Sequence, residues 1–325
     1  DSPRWFEEYA SVLGRRFGGR VRHWMTLNEP QMFVTLGYGS GVHAPGLALP
    51  AADLARIIHN VLCAHGRAAG ALRSESPQPL EIGWASSVGT MTPAPGWGDD
   101  AEVVEAARVA QFEADAGGKV AFASAVWCDP VFLGEYPAEF LGKHGADLPR
   151  GWERDMELVR APVDFCGMNI YNSYNRFDRD ADGRVRNTHE SVFGPGFPRT
   201  LFGWPVTPEA LYWGPRFYHE RYRSPVVITE NGLSNPDWAG LDGAVHDPAR
   251  IDFVARYLRE LRRGVADGVP VRGYFHWSLL DNFEWAEGYS QRFGLIHVDF
   301  PTGRRTPKQS AAWYAEVIRS RGASL

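Results

Sequence analysis

The sequence predicts an α/β fold of the (β/α)8 TIM-barrel type, and three observations carry that prediction. Short β-rich runs alternate with longer helical patterns along the 325 residues, the spacing that gives a parallel sheet covered by helices. No strand is followed by the G-x-G-x-x-G turn of a dinucleotide-binding sheet, which argues against an open doubly wound arrangement. Two glutamates stand directly after strands, where barrels of this kind carry their active groups.

The elements follow in order. The opening WFEEYASVLGRRFGGRV reads as a helix, because Trp5, Phe6, Tyr9, Val12 and Leu13 recur at three- and four-residue spacing. Since that pattern starts beside Asp1 with no Met or leader before it, the chain is expected to begin within structured protein and to be a piece of a longer one. Strands are expected over residues 21–27 (VRHWMTL), 80–86 (LEIGWAS), 164–171 (DFCGMNIY), 226–229 (VVIT) and 271–277 (VRGYFHW). Helices are expected over residues 51–74, 99–127, 207–222, 248–267 and 307–320. With no low-complexity linker or charge block, residues 1–325 read as a single domain. Five strands do not close a barrel by themselves.

Composition narrows the function. Hydrophobic residues at 44% and charged residues at 22% are globular values. A net charge of −5 gives no electrostatic footprint for nucleic acid or an anionic membrane. No stretch of about 20 apolar residues is present to span a bilayer. Cys63, Cys128 and Cys166 all lie in apolar runs, so buried thiols and a cytoplasmic setting are expected. Twelve Trp and twelve Tyr suit a protein that stacks flat, partly apolar ligands.

The strand-end rule sorts the carboxylates. Asp164 precedes its strand and reads as structural, and Glu81 lies at a strand start. Glu29 (in TLNEP) and Glu230 (in VVITENG) each end an apolar run beside an Asn, and one barrel mouth would bring them together. An ionised carboxylate can attack an electrophilic carbon while a protonated partner gives its proton to the departing oxygen. Retaining glycoside hydrolysis uses such a pair about 5–5.5 Å apart. The structural alternative is that each Glu caps a helix or pairs with an Arg.

TLNEP at residues 26–30 and ITENG at residues 228–232 resemble the paired signatures of glycoside hydrolase family 1, the β-glucosidase family. The resemblance extends through LGYGSGVHAPG, HNVLCAHG, DPVFLGEYP, DFCGMNIY, LLDNFEWAEGYSQRFGLIHVDF and RTPKQSAAWYAEVI, nearly end to end and in the family's order. It implies a retaining β-glycosidase acting on terminal β-D-glucosides, with some tolerance for galactosides or fucosides. Glu29 would be the acid/base and Glu230 the nucleophile. Asn28 would bind the sugar 2-hydroxyl. Tyr171, two positions after Asn169 in the same substrate-binding stretch, would orient the nucleophile. Trp277 would floor the sugar, and Glu284 and Trp285 would contact the 4- and 6-hydroxyls with Phe293 nearby. No cofactor is implied, and the partner is a small β-glycoside or oligosaccharide.

The resemblance also implies what is missing. Relative to the family the chain lacks the first three strand–helix units and corresponds to about strands 4 to 8, so it is expected to be unstable and nearly inactive alone. The alternative is an inactive or merely carbohydrate-binding piece. His276, before Trp277, is a less usual choice for the family. A 6-phosphoglycoside branch carries Ser and Lys in the loop where this chain has Glu284 and Trp285, so unphosphorylated sugars are favoured. Ten His form neither H-x-H nor H-E-x-x-H. His43, His59 and His65 are therefore expected to serve local hydrogen bonds or a loop, with no metal. A Ser elbow G-x-S-x-G is also absent. Aglycone preference is expected to lie in a loop over residues 185–202, and oligomeric state is not readable.

Overall fold

The computed structural model describes residues 1–114 and 120–325. In chain order come helix α1 (Ser2–Phe17), strand β1 (His23–Asn28), α2 (Pro30–Val34), α3 (Ala51–Glu75), β2 (Glu81–Ser87), β3 (Thr90–Pro93) and α4 (Ala101–Gln111). Then follow α5 (Ser124–Phe132), α6 (Ala138–His144), α7 (Trp152–Val159), β4 (Phe165–Asn169), β5 (Ser173–Arg179), β6 (Val185–His189) and α8 (Ala210–Tyr222). The last are β7 (Val226–Asn231), α9 (Pro248–Ala266), β8 (Val271–His276), β9 (Ile296–Asp299), β10 (Arg304–Pro307) and α10 (Gln309–Arg319).

The five expected strands are β1, β2, β4, β7 and β8, with ends shifted by at most two residues. The helix expected over residues 99–127 is two helices: α4 stops at Gln111 and α5 starts at Ser124, while residues 115–119 of that expectation lie outside the described residues. The loop expected over residues 185–202 is corrected too, since its first five residues form β6.

The chain forms two compact units. The first comprises Asp1–Ser87, Gln111–Asn169 and His219–Val227. Here β1 pairs with β2 and β2 with β4, all parallel, and Cys166 N donates to Pro225 O where β7 begins. Register aligns Asn28 with Ala85 and Ser87 with Asn169, so the polar strand ends share one edge. Ile82, Trp84 and Ala85 of β2 are fully buried, as a central parallel strand requires. Gly83 has a specific reason: a Cβ there would stand 2.2 Å from the Phe165 ring.

Helix α1 packs Phe6, Ala10 and Leu13 against Ala68, Ala69 and Leu72 of α3. Arg67–Glu7 (2.8 Å) and Arg15–Glu75 (2.9 Å) pairs flank that seam. Of the five residues that predicted this helix, Phe6 and Leu13 face the core, while Trp5, Tyr9 and Val12 face outward. The expected helix is present, with apolar residues on its outward side as well. Asp164 is structural, as expected, accepting from Arg73 (2.9 Å) and the Ile82 amide (2.8 Å).

The second unit comprises Val88–Ala110, Ile170–Tyr218 and Ile228–Leu325. Its part of β7 neighbours β8, and a small sheet orders β3-β5-β6, parallel then antiparallel, with a β9/β10 hairpin apart. Arg250 and Lys308 are buried with Asp237, Asp247 and Asp281 at 2.5–2.8 Å, and Arg292 closes the network on Asp281 at 2.7 Å. Every ion in it has an opposite partner, the condition on which buried charge is tolerated. Among the described residues no helix is long and apolar enough to cross a membrane.

Candidate active site

In the first unit, β1 ends at Asn28 and the chain turns at Glu29 into α2, with Pro30 as its first residue. Glu29 has φ 46° and ψ 59°, a left-handed conformation that costs a non-glycine residue about 1–3 kcal/mol and is found at functional sites. Its amide donates to Ala85 O at 3.0 Å, and Gln31, buried, exchanges 3.4 Å hydrogen bonds with the Ser87 backbone. The turn is thus fastened to β2 on both sides. Asn169, buried at the end of β4, donates from Nδ2 to Asn28 Oδ1 (3.0 Å) and Glu29 Oε1 (2.9 Å).

That cluster stands on a packed base. Thr26 Oγ1 and His65 Nδ1 are hydrogen-bonded at 2.6 Å, and the His65 ring meets Trp84 edge-on at 5.0 Å. Burial, reinforced by Arg73, lowers His65 to about 3, so the imidazole is neutral.

In the second unit, Glu230 is near the end of β7, in extended strand rather than a turn. The Tyr171 hydroxyl donates to Glu230 Oε2 at 2.7 Å. Tyr171 is itself held: Tyr257 OH donates to its carbonyl at 2.9 Å, and its ring packs on Trp204 (5.0 Å) and Phe293 (6.2 Å). Asn231, buried, donates to Ile170 O (2.8 Å) and accepts from Tyr274 OH (2.8 Å). The Trp277 amide donates to Asn231 O at 2.9 Å, which sets the indole beside the strand end. Gly232 is obligatory here: a Cβ would stand 2.0 Å from the Trp277 carbonyl oxygen.

Glu284 is raised to about 7, first by burial and then by the charge of Glu230, against a lowering hydrogen bond from the Trp277 side chain. Glu230, Trp277 and Glu284 are therefore one electrostatic neighbourhood. Trp285 follows at φ 45° and is 66% exposed.

Two of the expected substrate contacts also hold neighbouring side chains. Asn169, expected among the sugar contacts, donates its amide to Asn28 and Glu29. Phe293 is buried, and its ring supports Tyr171, Phe202 and Trp204. Sequence reasoning missed Phe202, Trp204 and Tyr257; the aromatic pair in LFGWP was the available signal for the first two.

Carboxylates at the ends of parallel strands, each fixed by a neutral donor, with indoles and a third carboxylate around one of them, are the equipment of a glycoside hydrolase of the α/β-barrel class. The profile of Glycosyl hydrolase family 1 matches residues 4–323, and the chain belongs to that family. It is 38% identical over 327 residues to a 1,4-beta-D-glucan glucohydrolase of Thermotoga neapolitana, covering 99% of this chain and 69% of that protein. A bifunctional beta-D-glucosidase/beta-D-fucosidase of Bifidobacterium breve is 34% identical over 335 residues, covering 97% and 68%. The solved structure of the Thermotoga maritima beta-glucosidase with deoxynojirimycin superposes with a TM-score of 0.82 at 36% identity, covering 98% of this chain and 69% of that one. The fold is that of an α/β TIM barrel.

Proposed function

We propose that this chain hydrolyses terminal β-D-glucosides with retention of configuration, Glu230 serving as nucleophile and Glu29 as general acid and then base. In the first step a Glu230 oxygen bonds to the anomeric carbon as the glycosidic C–O bond breaks, and the Glu29 proton goes to the leaving oxygen. In the second, water attacks the glycosyl–enzyme ester, its proton goes to Glu29, and Glu230 departs as carboxylate.

The 2.7 Å hydrogen bond from Tyr171 to Glu230 carries the assignment, because a donor aimed at a carboxylate oxygen favours the ionised form that a nucleophile needs. Asn28 is assigned to the 2-hydroxyl, Trp277 to the sugar's apolar face, and Glu284 with Trp285 to the 4- and 6-hydroxyls. A carboxyl that keeps its proton near neutrality both donates and accepts, which suits either orientation of a 4-hydroxyl. The glucosidase/fucosidase relative agrees with such tolerance.

Replacing Glu230 by Ala removes turnover of an aryl β-glucoside, and azide restores part of it by attacking the vacated face, with inversion, to give an α-glucosyl azide. Glu29→Gln slows unactivated disaccharides by about 10²–10⁴-fold and spares aryl glycosides with good leaving groups. Unchanged disaccharide turnover in both variants, or sugar binding by the parent chain without any turnover, overturns the assignment.

A further inference from the structure

Away from the carboxylates, the first unit holds three donor atoms that neither the mechanism nor the core requires to converge. Helix α3 presents His59 and Cys63 four residues apart on one face, and α7 presents Asp155. His59 Nε2 is 3.5 Å from Cys63 Sγ and 3.1 Å from Asp155 Oδ2, and the three ligand atoms all lie within 4.8 Å of one another. The two helices come together closely: a Cβ on Gly66, one turn beyond Cys63, would stand 2.1 Å from the Leu158 carbonyl oxygen.

We propose that His59, Cys63 and Asp155 form a binding site for one thiophilic divalent cation, Zn²⁺ by chemistry, clamping α3 to α7. Bond lengths of about 2.3 Å to sulfur and about 2.0–2.1 Å to nitrogen and oxygen, at tetrahedral angles, separate S from N by about 3.6 Å and N from O by about 3.3 Å. The observed 3.5 and 3.1 Å already match those edges to within a few tenths. A thiolate, an imidazole and a carboxylate form a borderline-soft set that suits Zn²⁺ better than Mg²⁺ or Ca²⁺.

The surroundings supply the two further requirements. The Tyr136 hydroxyl lies 3.0 Å from His59 Nδ1 and fixes the ring with Nε2 toward the other donors, the outer contact that ligating histidines carry. His59 is 1% exposed but the Asp155 side chain 47%, so the ion has an entry from solvent and a water can complete the tetrahedron. Binding displaces the Cys63 thiol proton and the His59–Asp155 hydrogen bond, releasing protons to solvent. The site is independent of the glycosidase assignment. H-x-H and H-E-x-x-H patterns miss it because the pair is His-x₃-Cys with its third member on another helix.

The test uses the whole chain, freed of metal by chelation, with Zn²⁺ alone and with Co²⁺ as the spectroscopic probe. One equivalent of Zn²⁺ is expected to bind, with an upward shift in Tm, and Co²⁺ to give tetrahedral d–d bands with a thiolate charge-transfer band. Cys63→Ser abolishes the charge-transfer band and weakens Zn²⁺ on the order of 100-fold, and Tyr136→Phe weakens it by about tenfold. Asp155→Asn, at the exposed member, weakens Zn²⁺ with the far-UV circular dichroism unchanged, which separates loss of a ligand from loss of the fold. No stoichiometric Zn²⁺ on the parent chain, or binding that survives both Cys63→Ser and Asp155→Asn, overturns the proposal.

Discussion

Glu29 and Glu230 are both carboxylates at strand ends, but the two units hold them differently. Glu29 stands on a left-handed turn and takes its hydrogen bond from the amide of Asn169, which is shared with Asn28. Glu230 stands in extended strand and takes a short hydrogen bond from a phenol that aromatic rings and Tyr257 keep in place. An acid/base must gain and lose a proton in each cycle, whereas a nucleophile must stay ionised. Either donor, amide N–H or phenol O–H, favours the ionised carboxylate it faces, but the phenol is the one fixed by aromatic packing and Tyr257. The holders therefore differ in rigidity, a shared amide for one carboxylate and a fixed phenol for the other.

Substitutions of the holders test that contrast. The largest effect is expected for Tyr171→Phe, which should lower kcat for all β-glucosides by about 10²–10³-fold, the usual cost of one well-aimed donor. Asn169→Ala, which removes one hydrogen bond from the Glu29 side chain, should cost up to about 10²-fold, but on poor leaving groups only; a uniform loss across leaving groups would erase the distinction. Glu284→Gln is expected to act least, flattening a transition in KM near pH 7 while leaving kcat at low pH close to normal. The sign is fixed: the folded chain keeps the Glu284 proton to about pH 7 while the unfolded chain has released it by about 4.5. Stability therefore falls as pH rises through that window, and the Gln variant, read by thermal melts across pH, should lose that slope.

Sequence legibility followed the strength of local patterns. VVIT and LEIGWAS are near-continuous β-formers, so β7 and β2 and the strand-end position of Glu230 were readable. The β3-β5-β6 sheet was not, because SYNRFDR and VRNTH are mostly polar and their Tyr174, Phe177 and Val185 are too sparse to show an alternation. The outward Trp5, Tyr9 and Val12 show the opposite failure, a pattern present without the burial it suggests. Resemblance supplied the residue roles but could not say which oxygen each donor faces. The Asn169 hydrogen bond to Glu29 was for that reason not foreseen, and Trp204 went unnoticed because its partner Tyr171 is 33 positions away.

The absent side chain at position 232 has a practical consequence for anyone reshaping this enzyme. Between the strand that carries Glu230 and the backbone carbonyl of Trp277 there is space for hydrogen alone. Randomising the residue after Asn231 would therefore shift the backbone at Glu230 and at Trp277 at once instead of tuning either. A variant library aimed at new sugars gains more by keeping that codon constant and diversifying around Trp285, whose side chain already reaches solvent.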